Sequence, residues 1–208
     1  MISDKNILKA YLVTDNKALG DRSYFEVVEE SILGGVTLVQ IREKDVTSRQ
    51  YYEKAKKLKL LTSKYNIPLI INDRVDIALA VGADGVHVGQ KDIPVKDIRK
   101  IVGEDFIVGA TANSVELAIE AEAQGADYLG VGALFPTSTK DDTKPLTPQM
   151  LKKIVESVSI PVVAIGGISI DNIKLLKDTG IVGVAVSSGI MGNENPKKAA
   201  REIFEYSL

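Results

Sequence analysis

An α/β fold of the closed (β/α)8 kind, the TIM barrel, is what this sequence predicts, on three observations. Short apolar runs recur along the chain, helix-period stretches lie between them, and each run stops on a polar, glycine-rich or charged knot. The runs are Ala10–Val13, Thr37–Ile41, Leu69–Ile71, Gly85–Val88, Ile107–Ala110, Tyr128–Val131, Val162–Ile165 and Gly183–Val186. Several, such as PLII and PVVAI, are apolar without alternation, as parallel strands covered by helices should be. An open doubly wound sheet also alternates strand and helix, but it usually carries a nucleotide-binding turn. Neither G-x-G-x-x-G nor a Walker loop occurs in this chain.

The intervening helices have recognisable starts. Thr47 precedes Tyr51, Ala55 and Leu58, which fall at helical spacing; Thr147 is followed by Pro148 and Asn195 by Pro196, prolines that suit a first helical position. Nothing reads as a linker or low-complexity tract, so a single domain over residues 1–208 is expected. Typical barrels of this kind run to about 250 residues, so the loops here should be short.

Composition removes whole classes of chemistry. With no cysteine there is no disulfide, thiolate metal site or cysteine nucleophile. One histidine, His87, cannot build an imidazole metal centre, which leaves oxygen ligands and magnesium-like ions. It lies in Gly85-Val-His-Val-Gly89, facing opposite to Val86 and Val88, and reads as a hydrogen-bonded packing residue. A net charge of −2 and a pI near 5.6 give no general reason to bind nucleic acid. No apolar stretch approaches the ~20 residues of a membrane span. MISDKNILKA lacks the apolar core of a signal peptide, so a cytoplasmic protein with no membrane partner is the expectation.

In a barrel the strand ends share one face, so the knots should converge there. In Thr37-Leu-Val-Gln-Ile-Arg-Glu-Lys44, alternation puts Gln40, Arg42 and, if the extension persists, Lys44 on one side. An amide inside an apolar run needs hydrogen-bonding partners, and a ligand ring could supply them. Asn72-Asp73-Arg74 and Gly89-Gln-Lys-Asp92 bring two carboxylates to neighbouring strand ends, a set suited to a hard divalent ion that keeps waters and shares a phosphate. Taken singly, Asp73 reads as a helix cap and Asp92 as a turn residue. Thr111 is a candidate hydroxyl donor and Ser114 a cap. The long segment from Ala133 to about Leu146 carries Thr137, Ser138, Thr139, Lys140 and Lys144, a candidate phosphate cradle. Gly166-Gly167 after the seventh run and Ser187-Ser188-Gly189 after the eighth stand where such barrels often bind phosphate, and together they predict a phosphorylated substrate.

Val39-Gln-Ile-Arg-Glu-Lys44, Ile71-Asn-Asp-Arg74, Gly85-Val-His-Val-Gly-Gln90 with Asp92, Phe135-Pro-Thr-Ser-Thr-Lys140 and Ala164-Ile-Gly-Gly-Ile168 closely resemble the motifs of thiamine-phosphate synthases, over essentially the whole chain. The resemblance implies a magnesium-dependent transferase of thiamine biosynthesis, which joins hydroxymethylpyrimidine diphosphate to a thiazole phosphate and releases pyrophosphate. It implies that Gln40, Ile41, Arg42, Glu43, Lys44, Asn72, Thr111 and Lys140 bind the pyrimidine diphosphate, with Lys140, Thr111, Arg42 and Lys44 catalytic. By the same pattern Asp73 and Asp92 hold Mg2+, and Thr137, Ser138, Thr139, Gly167, Ser187 and Ser188 bind the thiazole phosphate. Thr111 stands where the family usually has serine, and Ser187 where it has an apolar β-branched residue. The partners expected are these small molecules, and a homo-oligomer is compatible with the sequence. Two other readings share the resemblance: a thiazole tautomerase, which would use a catalytic histidine, and a non-catalytic barrel that binds thiazole phosphate or thiamine phosphate. Retention of Asp73, Asp92 and Lys140 argues against both.

Overall fold

The structure is a computed structural model that describes residues 4–136 and 145–206. Eight parallel strands close on themselves in sequence order: β1 (Ala10–Val13), β2 (Leu38–Ile41), β3 (Leu69–Asn72), β4 (Gly85–Val88), β5 (Ile107–Thr111), β6 (Tyr128–Val131), β7 (Val162–Ile165) and β8 (Gly183–Val186). β1 pairs with both β2 and β8, which completes the ring. Outside lie α1 (Tyr24–Leu33), α2 (Ser48–Lys64), α3 (Val75–Val81), α4 (Val95–Val102), α5 (Val115–Ala123), α6 (Pro148–Glu156), the short α7 (Ser188–Met191) and α8 (Pro196–Tyr206). Between β7 and β8 a 3-10 helix, Ile173–Thr179, takes the place of an α-helix. No helix among the described residues is long and apolar enough to cross a membrane.

The caps expected at Thr47, Ser114, Thr147 and Asn195 all form. Thr47 and Gln50 make a reciprocal capping box, and the other three side chains accept from the backbone N–H of Leu117, Met150 and Lys198. Asp73 is not a cap, because α3 begins after Arg74 with no side-chain cap.

Alternation along the strands sorts the core into two shells. Leu12, Val39, Ile41, Ile71, Val86, Leu129 and Val184 face the helices. Leu8, Tyr11, Val13, Leu38, Ile70, Tyr128, Val163 and Ala185 fill the barrel itself.

A fourfold regularity underlies this ring. Each even strand is preceded by a glycine with positive φ, namely Gly35, Gly82, Gly125 and Gly180. Two residues on, Thr37, Asp84, Asp127 and Val182 donate their N–H to Ala10, Leu69, Val108 and Val162 on the preceding odd strand. In three of the four units the side chain closes the return bond, since Thr37, Asp84 and Asp127 accept from the N–H of Ala10, Leu69 and Val108. Lys59 and Arg99 neutralise the two aspartates at 2.6 and 2.7 Å. Val182 lacks an acceptor, so the fourth unit keeps only the backbone bond. β2 accordingly starts at Leu38 rather than at Thr37, which is occupied in this junction, while β3 and β5 run one residue beyond the apolar patterns, to Asn72 and Thr111.

Candidate active site at the carboxyl ends of the strands

On β2 the expected alternation holds for Gln40, but the strand ends at Ile41, before Arg42 and Lys44. Gln40 is 4% exposed and turns into the barrel, where its Nε2 donates to the Tyr11 hydroxyl. Ile41 and Glu43 point the other way. Ile41 packs in the shell under the helices. Glu43, 8% exposed, accepts from Lys54 Nζ and Asn16 Nδ2, each at 2.6 Å. Lys54 also donates to Asn16 Oδ1 and lies 3.6 Å from the centroid of the Tyr24 ring. This cluster fixes the β1 and β2 ends from behind. Lys54 and Asn16 escape a sequence reading because neither lies in a motif. Arg42 is half-buried, and its N–H donates to the Thr14 hydroxyl.

The β3 and β4 ends form an acidic pair with a cation beside it. Asp73 has φ +63, a left-handed conformation that a short polar side chain tolerates. Its N–H donates to the carbonyl of His87 at 2.8 Å, and its carboxylate accepts from Lys44 Nζ at 2.5 Å and Asn72 Nδ2 at 2.7 Å. Asp92 accepts from the N–H of Gly89 at 2.8 Å, so the turn role also holds. Burial first, with the neighbouring Asp73 charge and its hydrogen bond, raises the Asp92 carboxyl above the ordinary range, against lowering by the Gly89 N–H and, less, by Lys44.

Thr111 ends β5, and its hydroxyl meets His87 Nε2 at 3.0 Å. His87 Nδ1 meets the Tyr128 hydroxyl at 3.0 Å, and Tyr128 meets Tyr11 at 2.8 Å. A polar line therefore runs through the barrel from Gln40 to Thr111. Both tyrosines lie in apolar runs and look like packing residues. The signal for them is register: Tyr11 pairs with Leu38 and Tyr128 with Gly109, positions on the same inward face as Gln40.

The β6 and β7 ends are stitched together. Leu134 and Phe135 donate their N–H groups to the carbonyls of Ile165 and Gly166. Gly167 has φ +67, and a Cβ there would come 2.5 Å from the Pro136 carbonyl oxygen. Asn172, unremarkable in the sequence, pins this turn by donating to Gly167 O and accepting from the N–H of Ser169. Ser187 Oγ is buried without a partner, and Ser188 is exposed at the start of α7. Thr137, Ser138, Thr139, Lys140 and Lys144 lie outside the described residues. Among the described residues no group of three or more acidic or imidazole side chains could hold a metal.

Over nearly its whole length the chain is similar to known proteins. Residues 10–190 match the family model described as thiamine monophosphate synthase. The thiamine-phosphate synthase of Clostridium tetani is 57% identical over 193 residues, covering 93% of this chain and 92% of that one. That of Ruminiclostridium cellulolyticum is 56% identical over 195 residues, covering 94% and 93%. Among solved structures, the thiamine phosphate pyrophosphorylase of Pyrococcus furiosus superposes with a TM-score of 0.89 at 43% identity, covering 98% of this chain and 96% of that one. The chain belongs to the thiamine monophosphate synthase family.

Proposed function

We propose that this synthase couples a thiazole phosphate to an aminopyrimidine methyl diphosphate with a divalent cation, Mg2+, held between Asp73 and Asp92. The observation that carries the cation is the acidic pair itself. Lys44 pairs with Asp73, and Asp92, whose burial resists ionisation, faces the charge of Asp73. A pair this small leaves most of the coordination to waters and phosphate oxygens, which suits Mg2+. Bound there, the cation would supply positive charge to the departing diphosphate.

The remaining work falls to the chain. Gln40 and Thr111 orient the pyrimidine ring, while Arg42, Lys44, Asn72 and Lys140 hold the diphosphate. Gly167, Ser187 and Ser188, with Thr137, Ser138 and Thr139, receive the thiazole phosphate. The thiazole nitrogen lone pair forms the new C–N bond to the pyrimidine methylene, the methylene C–O bond breaks, and its electrons leave on pyrophosphate. That nucleophile carries no proton to remove, so no general base is required. The difficulty is the charge developing as the bond to oxygen opens, which fixed cations around the leaving anion offset. A cytoplasmic setting, supported by the cysteine-free composition, completes the reading.

The experiment is turnover of purified protein with both substrates and Mg2+. Thiamine phosphate and pyrophosphate should appear in equal amounts. Isomerisation of the thiazole alone, or binding without product, would replace the reading by one of its two alternatives.

A further inference from the structure

We propose that Tyr11, Tyr128 and His87 are positioning residues that fix the hydrogen-bond polarity of the barrel mouth, so that Gln40 offers a carbonyl oxygen and Thr111 a hydroxyl proton, selecting an aminopyrimidine over its oxo counterpart.

The inference deepens the proposed function and rests on it for the identity of the ligand. Its structural part is a matter of counting protons. Gln40 Nε2 donates to the Tyr11 oxygen. The Tyr11 proton is then directed to the Tyr128 oxygen at 2.8 Å, and the Tyr128 proton to His87 Nδ1 at 3.0 Å. A ring nitrogen that accepts must be bare, so an imidazole with a single proton carries it on Nε2 and donates it to Thr111 Oγ at 3.0 Å. The Thr111 proton is left for the mouth. Burial raises both phenols well above their ordinary range, so each keeps the single proton this count assigns to it.

With one proton on the imidazole, reversing any one link requires reversing all of them. Thr111 would donate inward, His87 would hold its proton on Nδ1, and the Gln40 amide would turn to show its NH2 group to the mouth. The two ends are therefore coupled. The forward arrangement offers an acceptor at Gln40 and a donor at Thr111, which complements an exocyclic amino group and a bare ring nitrogen. The reverse arrangement complements a ring carbonyl and a ring N–H. The barrel is shaped for the line. Tyr128 lies across Gly109, where a Cβ would come 2.2 Å from its ring, and a Cβ on Gly130 would come 3.1 Å from His87 Cε1.

Two measurements test it. The chain has one histidine, so in tag-free protein the imidazole nitrogen NMR spectrum assigns itself. At neutral pH the protein without ligand should show a protonated Nε2 and a bare Nδ1. A proton on Nδ1 would overturn the proposal outright, whatever the protein catalyses. Tyr128→Phe removes one link at constant shape. It should mix the two tautomers, raise KM for the aminopyrimidine diphosphate about tenfold with KM for thiazole phosphate unchanged, and narrow discrimination against the oxo analogue by a similar factor. Tyr11→Phe should do the same to both kinetic readouts, and the double variant should cost little more than either, since a line is broken once. Unchanged discrimination, or parallel rises in both KM values with a lowered Tm, would reduce these residues to packing. Failure of the native protein to couple the two substrates overturns the functional reading and the ligand assignment with it, a result separable from the tautomer measurement.

Discussion

Tyr128 occupies the space that a side chain at residue 109 would need: a Cβ built on Gly109 falls 2.2 Å from Tyr128 Cζ and 2.4 Å from its hydroxyl oxygen. Gly109→Ala therefore overpacks the barrel interior at the centre of its polar line. We expect a loss of about 2–3 kcal/mol of stability, toward the upper end for overpacked cores because the Tyr128 hydroxyl is held on two sides. Thermal unfolding gives the loss. A variant as stable as the native chain would show that the ring can move aside.

Lys54→Ala removes the cation from a buried carboxylate. Glu43 would keep Asn16 as a partner but lose its counter-charge, at a cost of about 3 kcal/mol, the low end for a broken buried pair since Lys54 is partly exposed. Adding Glu43→Gln should restore part of it. Denaturant titration of the single and double variants measures both, and no recovery in the double variant would assign the effect to Lys54 packing on Tyr24 instead.

The raised Asp92 carboxyl sets a pH dependence in cation-free protein. Its native form holds a proton to higher pH than the unfolded chain does, so its stabilising contribution is complete below the unfolded value, about pH 4, and is lost as pH rises through the native value. Asp92→Asn keeps an oxygen for the Gly89 N–H and should remove that dependence. Without cation the variant should melt at or above the native temperature near neutrality, and the difference should shrink toward pH 4. A variant that melts lower at neutrality would mean that the charge is compensated in the native fold.

The proposed function places Lys140 at the leaving group. If its charge acts mainly as pyrophosphate departs, Lys140→Ala should lower kcat more than it raises KM, while Lys144→Ala, four residues on, should be mild. A normal kcat with a raised KM would make Lys140 a uniform binding contact.

Periodicity carried the fold because every strand is a short apolar run and four of the helices start at caps whose chemistry is local. The boundaries moved where tertiary bonds intervene: Thr37 is taken up in the β1 junction, and Asn72 and Thr111 extend strands past the apolar pattern. The Gly–x–Thr/Asp regularity before the even strands was present in the sequence, but its meaning depends on which strand lies beside which. At the mouth, alternation correctly turned Gln40 inward, and the adjacency of the β3 and β4 ends set Asp73 beside Asp92. Alternation also leaves Ile41 and Glu43 outside as side chains, although they sit within the motif that the family resemblance assigns to substrate. Tyr11 and Tyr128 were invisible as polar groups because an aromatic in an apolar run satisfies packing by itself; only the ring closure brings their hydroxyls together. Asn172 and Lys54 act from helices and turns behind the site, where no spacing rule points.

The central claim, that the acidic pair at the β3 and β4 ends holds the cation on which pyrophosphate departure depends, is tested most directly by titrating Mg2+ against pyrophosphate release in the native protein and in Asp92→Asn. The native protein should release pyrophosphate only with the cation, and the variant should need about tenfold or more Mg2+ for half-maximal rate and reach a lower plateau, as loss of one charged oxygen ligand requires. Superimposable titration curves would contradict the assignment of the site.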